Sequence, residues 1–194
     1  MSAMSDVTLL PRTADQILGP FYPLVAPSKG GDLTRKGGHS GRAAGQIIHL
    51  GGRVLDRAGK PVQRAQLQVW QANHHGRYDH PNDTNPAALD PCFEGFTVVE
   101  TDDEGRYSLL TVKPGAYPAA PGMMRPSHVH FEVFGKRERL ITQMYFTGDA
   151  HHEADRFLQS SNRQETIVKP ILDTVAGMEA GAKRVVFDIV LMYG

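Results

Sequence analysis

The 194-residue chain is 40% hydrophobic, enough for one domain with a proper core and too little for two comfortable ones. Lysine plus arginine and aspartate plus glutamate number 21 each, so there is no electrostatic footprint for nucleic acid or an anionic membrane surface. No apolar run approaches the roughly 18 residues of a membrane helix, and the single cysteine, Cys92, excludes an internal disulfide framework and a thiolate metal cluster.

The opening stretch, MSAMSDVTLLPRTADQ, lacks a basic segment followed by an apolar one, so the expectation is a cytoplasmic protein without a secretory leader. Residues 1–45, rich in Gly, Pro and Ser, read as an N-terminal arm with loops, and 46–194 as the folded domain. Ile47–Leu50 and Gly52–Leu55 have strand character and end at the turn Asp56–Pro61. In AQLQVWQA (65–72), Ala65, Leu67 and Val69 share one face, and Gln66, Gln68 and Trp70 the other. FTVVETD (96–102) and GRYSLLTV (105–112) flank an Asp-Asp-Glu-Gly turn and predict a hairpin. HVHFEVFG (128–135) alternates, LITQMYF (140–146) is β-branched and aromatic, and RVVFDIVLM (184–192) closes the chain. Helical character is confined to residues 153–159 and 165–172, the second interrupted by Pro170. About seven short strands with frequent turns predict an all-β, single-domain sandwich with long loops and one or two short helices.

The segment richest in chemistry is RPSHVHFEVF (125–134). On a strand Val129, Phe131 and Val133 face the core, while His128 and His130 share the opposite face, close enough to converge on one metal ion. The same pattern also fits two partly exposed histidines. A metal there needs further donors, either carboxylates or phenolates. Tyr78 and Tyr117 stand out because they sit at glycine-marked turns, HHGRY and KPGAYP, where a rigid sandwich builds its sites. Taken alone, either tyrosine reads as an amphipathic surface residue.

Several segments together resemble the intradiol ring-cleavage dioxygenases, most closely the protocatechuate 3,4-dioxygenase group. They are GPFYP (19–23), GGRVLDRAGKPV (51–62), WQANHHGRYDHP (70–81), Tyr117-Pro118, RPSHVHFEV (125–133) and LITQMYFTGD (140–149). They follow the family's order over most of residues 19–149. The resemblance implies a non-haem Fe(III) held by Tyr78, Tyr117, His128 and His130, with Tyr117 the axial ligand displaced by substrate, opposite His130. It implies a catechol-type diol and O2 as substrates and a muconate-type diacid as product. Arg125 and Gln143 match positions beside the site, Arg125 as a stabiliser of developing negative charge. Tyr22 and Ala119 match positions bordering the substrate pocket, although Ala119 stands where a large aromatic is frequent. The catechol and hydroxyquinol branches carry a helical N-terminal domain that the 18 residues before GPFYP leave no room for. Self-association, or association with a homologous subunit, is expected.

Other residues receive the plainer reading. The pairs His74-His75 and His151-His152 point opposite ways on a strand and are expected at the surface or behind the site. Trp70 is expected in the core or pocket wall. Glu132 either orients a ligand histidine or faces solvent, and Arg12 or Arg53 is available to meet a substrate carboxylate. Two rival functions compete with ring cleavage. One is a non-enzymatic transthyretin-like β module, suggested by GRVLDRAGKPVQRAQLQVW; the other is a zinc hydrolase using His128, His130 and a carboxylate.

Overall fold

Period-two alternation is the pattern that becomes structure in this chain. The computed structural model describes residues 8–194, so the first seven residues of the stretch read as leaderless lie outside it. In chain order the strands are Ser28–Lys29 (β1), Ile47–Asp56 (β2), Gln66–Trp70 (β3), Phe96–Glu100 (β4), Arg106–Val112 (β5) and Tyr117–Ala120 (β6). Met123–Arg125 (β7), His128–Phe134 (β8) and Arg139–Phe146 (β9) follow. After a short helix at Arg156–Gln159 (α1) and a 3₁₀ turn at Gln164–Thr166 come Val168–Lys169 (β10), Lys183–Val186 (β11) and Ile189–Leu191 (β12). No helix among the described residues is long and apolar enough to cross a membrane.

Two sheets form the sandwich. One has six strands in the order β1-β4-β3-β8-β9-β10; the other is built on the long β2, which pairs with β5 on one edge and with β11 and β12 on the other. The inward residues of both sheets make the main core, including Leu50, Val54, Leu67, Val69, Leu109, Val129, Phe131, Val133, Leu140, Met144, Phe187 and Ile189. Each fully buried Leu, Phe or Met there contributes roughly 1.5–3 kcal/mol. Leu33 and Ala43, from the stretch ahead of β2, enter this same core. The architecture is the β-sandwich that the strand pattern predicts.

Three local readings change. The two segments around Asp102–Gly105 do not pair as a hairpin: β4 pairs with β3, and β5 pairs with β2 in the other sheet. The turn closes through Asp102, whose side chain accepts from the Glu104 and Arg106 amides, but the chain uses it to step between sheets. The stretch 165–172 is not a helix. A single 3₁₀ turn gives way to β10, which extends β9's edge, because β-branched Ile167 and Val168 favour strand and Pro170 has no amide to donate. Residues 119–124, read as a loop, form the β6–β7 hairpin, turning at Pro121-Gly122 where Gly122 takes φ +72°.

Candidate functional site

The outward face of the six-stranded sheet carries a second, smaller aromatic cluster. Strand register aligns its residues: Trp70 lies opposite His130, His130 opposite Gln143, and His128 opposite Tyr145. Directly paired residues put their side chains on the same face. Here that face is covered, and His128 and His130 are each only 2% exposed. The cover comes from the arm around Leu18–Tyr22, the loop carrying Tyr78 and the β6–β7 hairpin carrying Tyr117.

Those two tyrosine-bearing segments meet backbone to backbone. A Cβ on Gly76 would stand 2.4 Å from Ala116 O, and one on Gly115 would stand 2.6 Å from Gly76 N, so only glycine allows the approach. Asn73 holds the first loop, its Oδ1 accepting from the His75 and Arg77 amides and its backbone O from Gly115 N. Asp83 accepts from the Tyr78 amide at 2.7 Å. As a result the Tyr78 and Tyr117 rings stand edge to face at 5.5 Å, Tyr117 lies 5.6 Å from His128, and Tyr78 lies 6.2 Å from His130. The structure thus brings together all four residues singled out in the sequence.

The nitrogen chemistry of the pair is well defined. His128 Nδ1 lies 2.7 Å from Pro126 O and so carries the proton, leaving the Nε2 lone pair directed at His130 Nε2, 3.1 Å away. Burial, reinforced by the Arg125 charge, lowers His128 to about 3, and burial also holds His130 well below the ordinary histidine range. Burial pushes the phenols the other way, Tyr78 well above its usual value and Tyr117 upward against the opposing pull of Arg125. Tyr78 Oη and His130 Nδ1 are buried without a hydrogen-bond partner. Neutral imidazoles facing each other beside phenols are a donor set that lacks its acceptor. Two imidazole nitrogens bound at right angles to one metal, at about 2.0–2.1 Å each, stand roughly 3 Å apart. The residues present therefore fit a metal ion, whose charge would also ionise the phenols.

A pH dependence follows for the metal-free protein. Both histidines are neutral when folded and accept protons near pH 6.5 when unfolded, so stability is full above that value and falls as pH drops toward 3. Urea midpoints of the metal-free protein are expected to fall by up to roughly 1.4 kcal/mol per pH unit for each histidine. Midpoints constant from pH 7 to 5 would contradict the neutral pair.

Arg125 lies beside the cluster, opposite Tyr117 across the β6–β7 ladder. Its Nε donates to Asp155 at 2.7 Å, and its Nη2 donates to Gln143 at 2.6 Å and Tyr145 at 3.0 Å, with Phe157 beneath the guanidinium at 4.7 Å. Gln143 is accordingly a partner of Arg125. Tyr22 meets Trp70 edge-on at 5.2 Å and its hydroxyl donates to Gln68, along the sheet from the four rings. Phe21, which sequence reasoning passed over inside GPFYP, is the closer ring, 4.7 Å from Tyr78 and 6.1 Å from Tyr117. Gly19 of the same motif takes φ +80°, and a Cβ there would press on His130 at 3.2 Å. Ala119 is exposed at the register shift of the hairpin.

Trp70 is buried and stacks on His130 at 4.8 Å, making it a wall of the cluster. Glu132 is buried, not solvent-facing, and pairs with Arg139. His74 and His75 are exposed, and His152 stands edge-on to Tyr145 at 6.1 Å. Neither arginine reserved for a substrate carboxylate is at the cluster: Arg12 pairs with Asp15 and Glu138, and Arg53 binds the Glu104 carbonyl. An open groove of 1310 Å³ along β2, β5 and β11 contains none of the cluster's side chains. Among the described residues no group of three His, Cys, Asp or Glu side chains is placed to hold a metal ion.

Comparison with known proteins agrees with this arrangement. The family model described as "Dioxygenase" matches residues 17–193. The chain belongs to the intradiol ring-cleavage dioxygenase family. Within the family it is 46% identical to the protocatechuate 3,4-dioxygenase beta chain of Burkholderia cepacia over 132 residues, which is 64% of this chain and 55% of that one. It is 34% identical to the catechol 1,2-dioxygenase of Candida albicans over 150 residues, 69% of this chain and 47% of that one. The chain spans about half the length of these curated relatives. Wild-type Acinetobacter radioresistens catechol 1,2-dioxygenase superposes with a TM-score of 0.75 at 24% identity, covering 96% of this chain and 64% of that one, a likeness of fold.

Proposed function

We propose that this chain is an Fe(III)-dependent intradiol dioxygenase that uses O2 to open a catechol-type ring between its two hydroxylated carbons, giving a muconate-type dicarboxylic acid. The observation that carries the reading is the convergence of two buried phenols on a neutral histidine pair whose Nε2 atoms face each other at 3.1 Å. Tyr78, Tyr117, His128 and His130 would hold the ion, and hard oxygen donors suit ferric iron. Bound there, Fe(III) would withdraw electron density from a catecholate and ready its ring for O2. Tyr117 would take a proton at Oη from the incoming diol as it leaves the first sphere; burial, which raises its pKa, makes the released phenolate a good base. Arg125 would supply fixed positive charge for the ring. Its Nη1 takes part in none of the bonds that hold its other nitrogens, which leaves that group free to donate. Gln143 would orient Arg125, while Tyr22, through Trp70, and Ala119, at the hairpin, would shape the pocket.

The zinc-hydrolase alternative lacks its third ligand, since the nearby carboxylates Asp155 and Glu132 are committed to Arg125 and Arg139. Two relatives are named as the beta and alpha chains of protocatechuate 3,4-dioxygenase, which supports assembly of this chain with itself or with a homologous subunit. The test is a visible spectrum of iron-loaded protein with anaerobic additions of catechol and protocatechuate. A broad tyrosinate band that moves to longer wavelength on addition is the expected result. A protein that stays colourless after iron reconstitution would reject the reading.

A further inference from the structure

The Arg125 group extends beyond the cluster to the N-terminal arm. Gln143 Oε1 accepts from Arg125, and its Nε2 donates to Ile17 O at 2.7 Å. Tyr145 Oη, which also accepts from Arg125, lies 3.0 Å from Gln16 Oε1 and 2.9 Å from Gln143 Oε1. A phenol has one proton to give. Gln143 Oε1 already receives the guanidinium, so donation to Gln16 is the assignment that leaves each acceptor satisfied. The Gln16 amide nitrogen in turn donates to Phe157 O at 3.3 Å, on the helix capped by Asp155. Immediately after these anchors the arm lays Gly19 on His130 and Phe21 on Tyr78. Arm position and guanidinium position are therefore set by the same few hydrogen bonds.

We infer that Tyr145 and Gln16 are positioning residues that latch the arm over the site and couple its closure to the placement of Arg125. The latch acts through other groups: Tyr145 through Arg125 and Gln143, Gln16 through the backbone of residues 17–21. Loosening either partner frees both the cover and the charge, so their effects are shared and do not add.

The chain's one tryptophan, Trp70, lies under the arm, edge-on to Tyr22, and reports on it without iron or turnover. In metal-free protein, acrylamide quenching of Trp70 is expected to rise in Gln16→Ala and in Tyr145→Phe, with far-ultraviolet circular dichroism unchanged. In iron-loaded protein each variant is expected to lose about fivefold in kcat/KM for a catechol, the fold-change of one net hydrogen bond. The double variant should lose no more than the worse single one, and iron content should stay at the wild-type level. Unchanged quenching in both single variants would overturn the latch, and strictly additive losses would overturn the coupling. The kinetic arm rests on the ring-cleavage reading, whereas the quenching arm does not. Wild-type protein that cleaves no catechol would sink that reading and leave the latch to be decided by Trp70.

Discussion

His130→Ala is expected to lower iron retention by more than about 100-fold, because changes in groups merely behind a ligand already cost 10–100-fold. Ring cleavage and the visible band should fall to background together. The substitution removes one of two facing lone pairs, and His128 Nε2, with its own proton fixed on Nδ1 by Pro126, is left without its counterpart. It also removes the ring on which Trp70 stacks, so some stability is lost with the metal. Two measurements separate these effects: iron content per chain, and the urea midpoint of the metal-free variant. His74→Ala, a change at an exposed histidine, serves as the control that keeps its iron. A folded His130→Ala protein with full iron content would remove this residue from the site.

Asp155→Ala is expected to cost about 3–5 kcal/mol of stability, because it strands the buried Arg125 guanidinium without its counter-charge. A further ~1 kcal/mol comes from the helix cap, since Asp155 Oδ1 accepts from the Phe157 and Leu158 amides while Oδ2 takes Arg125 Nε. One carboxylate thus ties α1 to the β6–β7 hairpin. Asp155→Asn separates the two contributions: its amide oxygen still caps the helix, but the ion pair is gone. Denaturant unfolding of the metal-free variants should therefore place Asn between wild type and Ala. An alanine variant within 1 kcal/mol of wild type would mean that Arg125 finds solvent or another anion and that its placement does not depend on α1.

How much of this was legible from residues alone depends on the range over which each feature is decided. The alternation in HVHFEVF is local, so the sequence puts Val129, Phe131 and Val133 in the core and both histidines on the opposite face, where the structure has them. AQLQVWQA likewise puts Trp70 on the face away from Leu67 and Val69, and Trp70 proves to be a wall of the cluster. Family resemblance added Tyr78 and Tyr117, whose spacing carries no periodic signal. It also drew attention to GPFYP, but polarity favoured Tyr22 within it, while packing puts apolar Phe21 nearer the phenols.

The residues around Arg125 show where such reasoning ends. Asp155 is 30 positions away, in a segment without a pattern of its own, and Gln16 meets Tyr145 across 129 positions. The predicted β4–β5 hairpin failed for the same reason. An Asp-Gly turn specifies a local reversal, but which sheet each strand joins depends on which edge is free when the core closes. Side-chain phase, turn chemistry and residue type are properties of a few neighbouring residues, and the sequence by itself determined them: the sandwich, the two-faced strands and the donor types. Register among β3, β8 and β9, the glycine-to-glycine approach of the tyrosine loops, and the arm's closure over His130 come from long-range packing. Only the tertiary structure decided those, because their free energy depends on all the elements being in place at once.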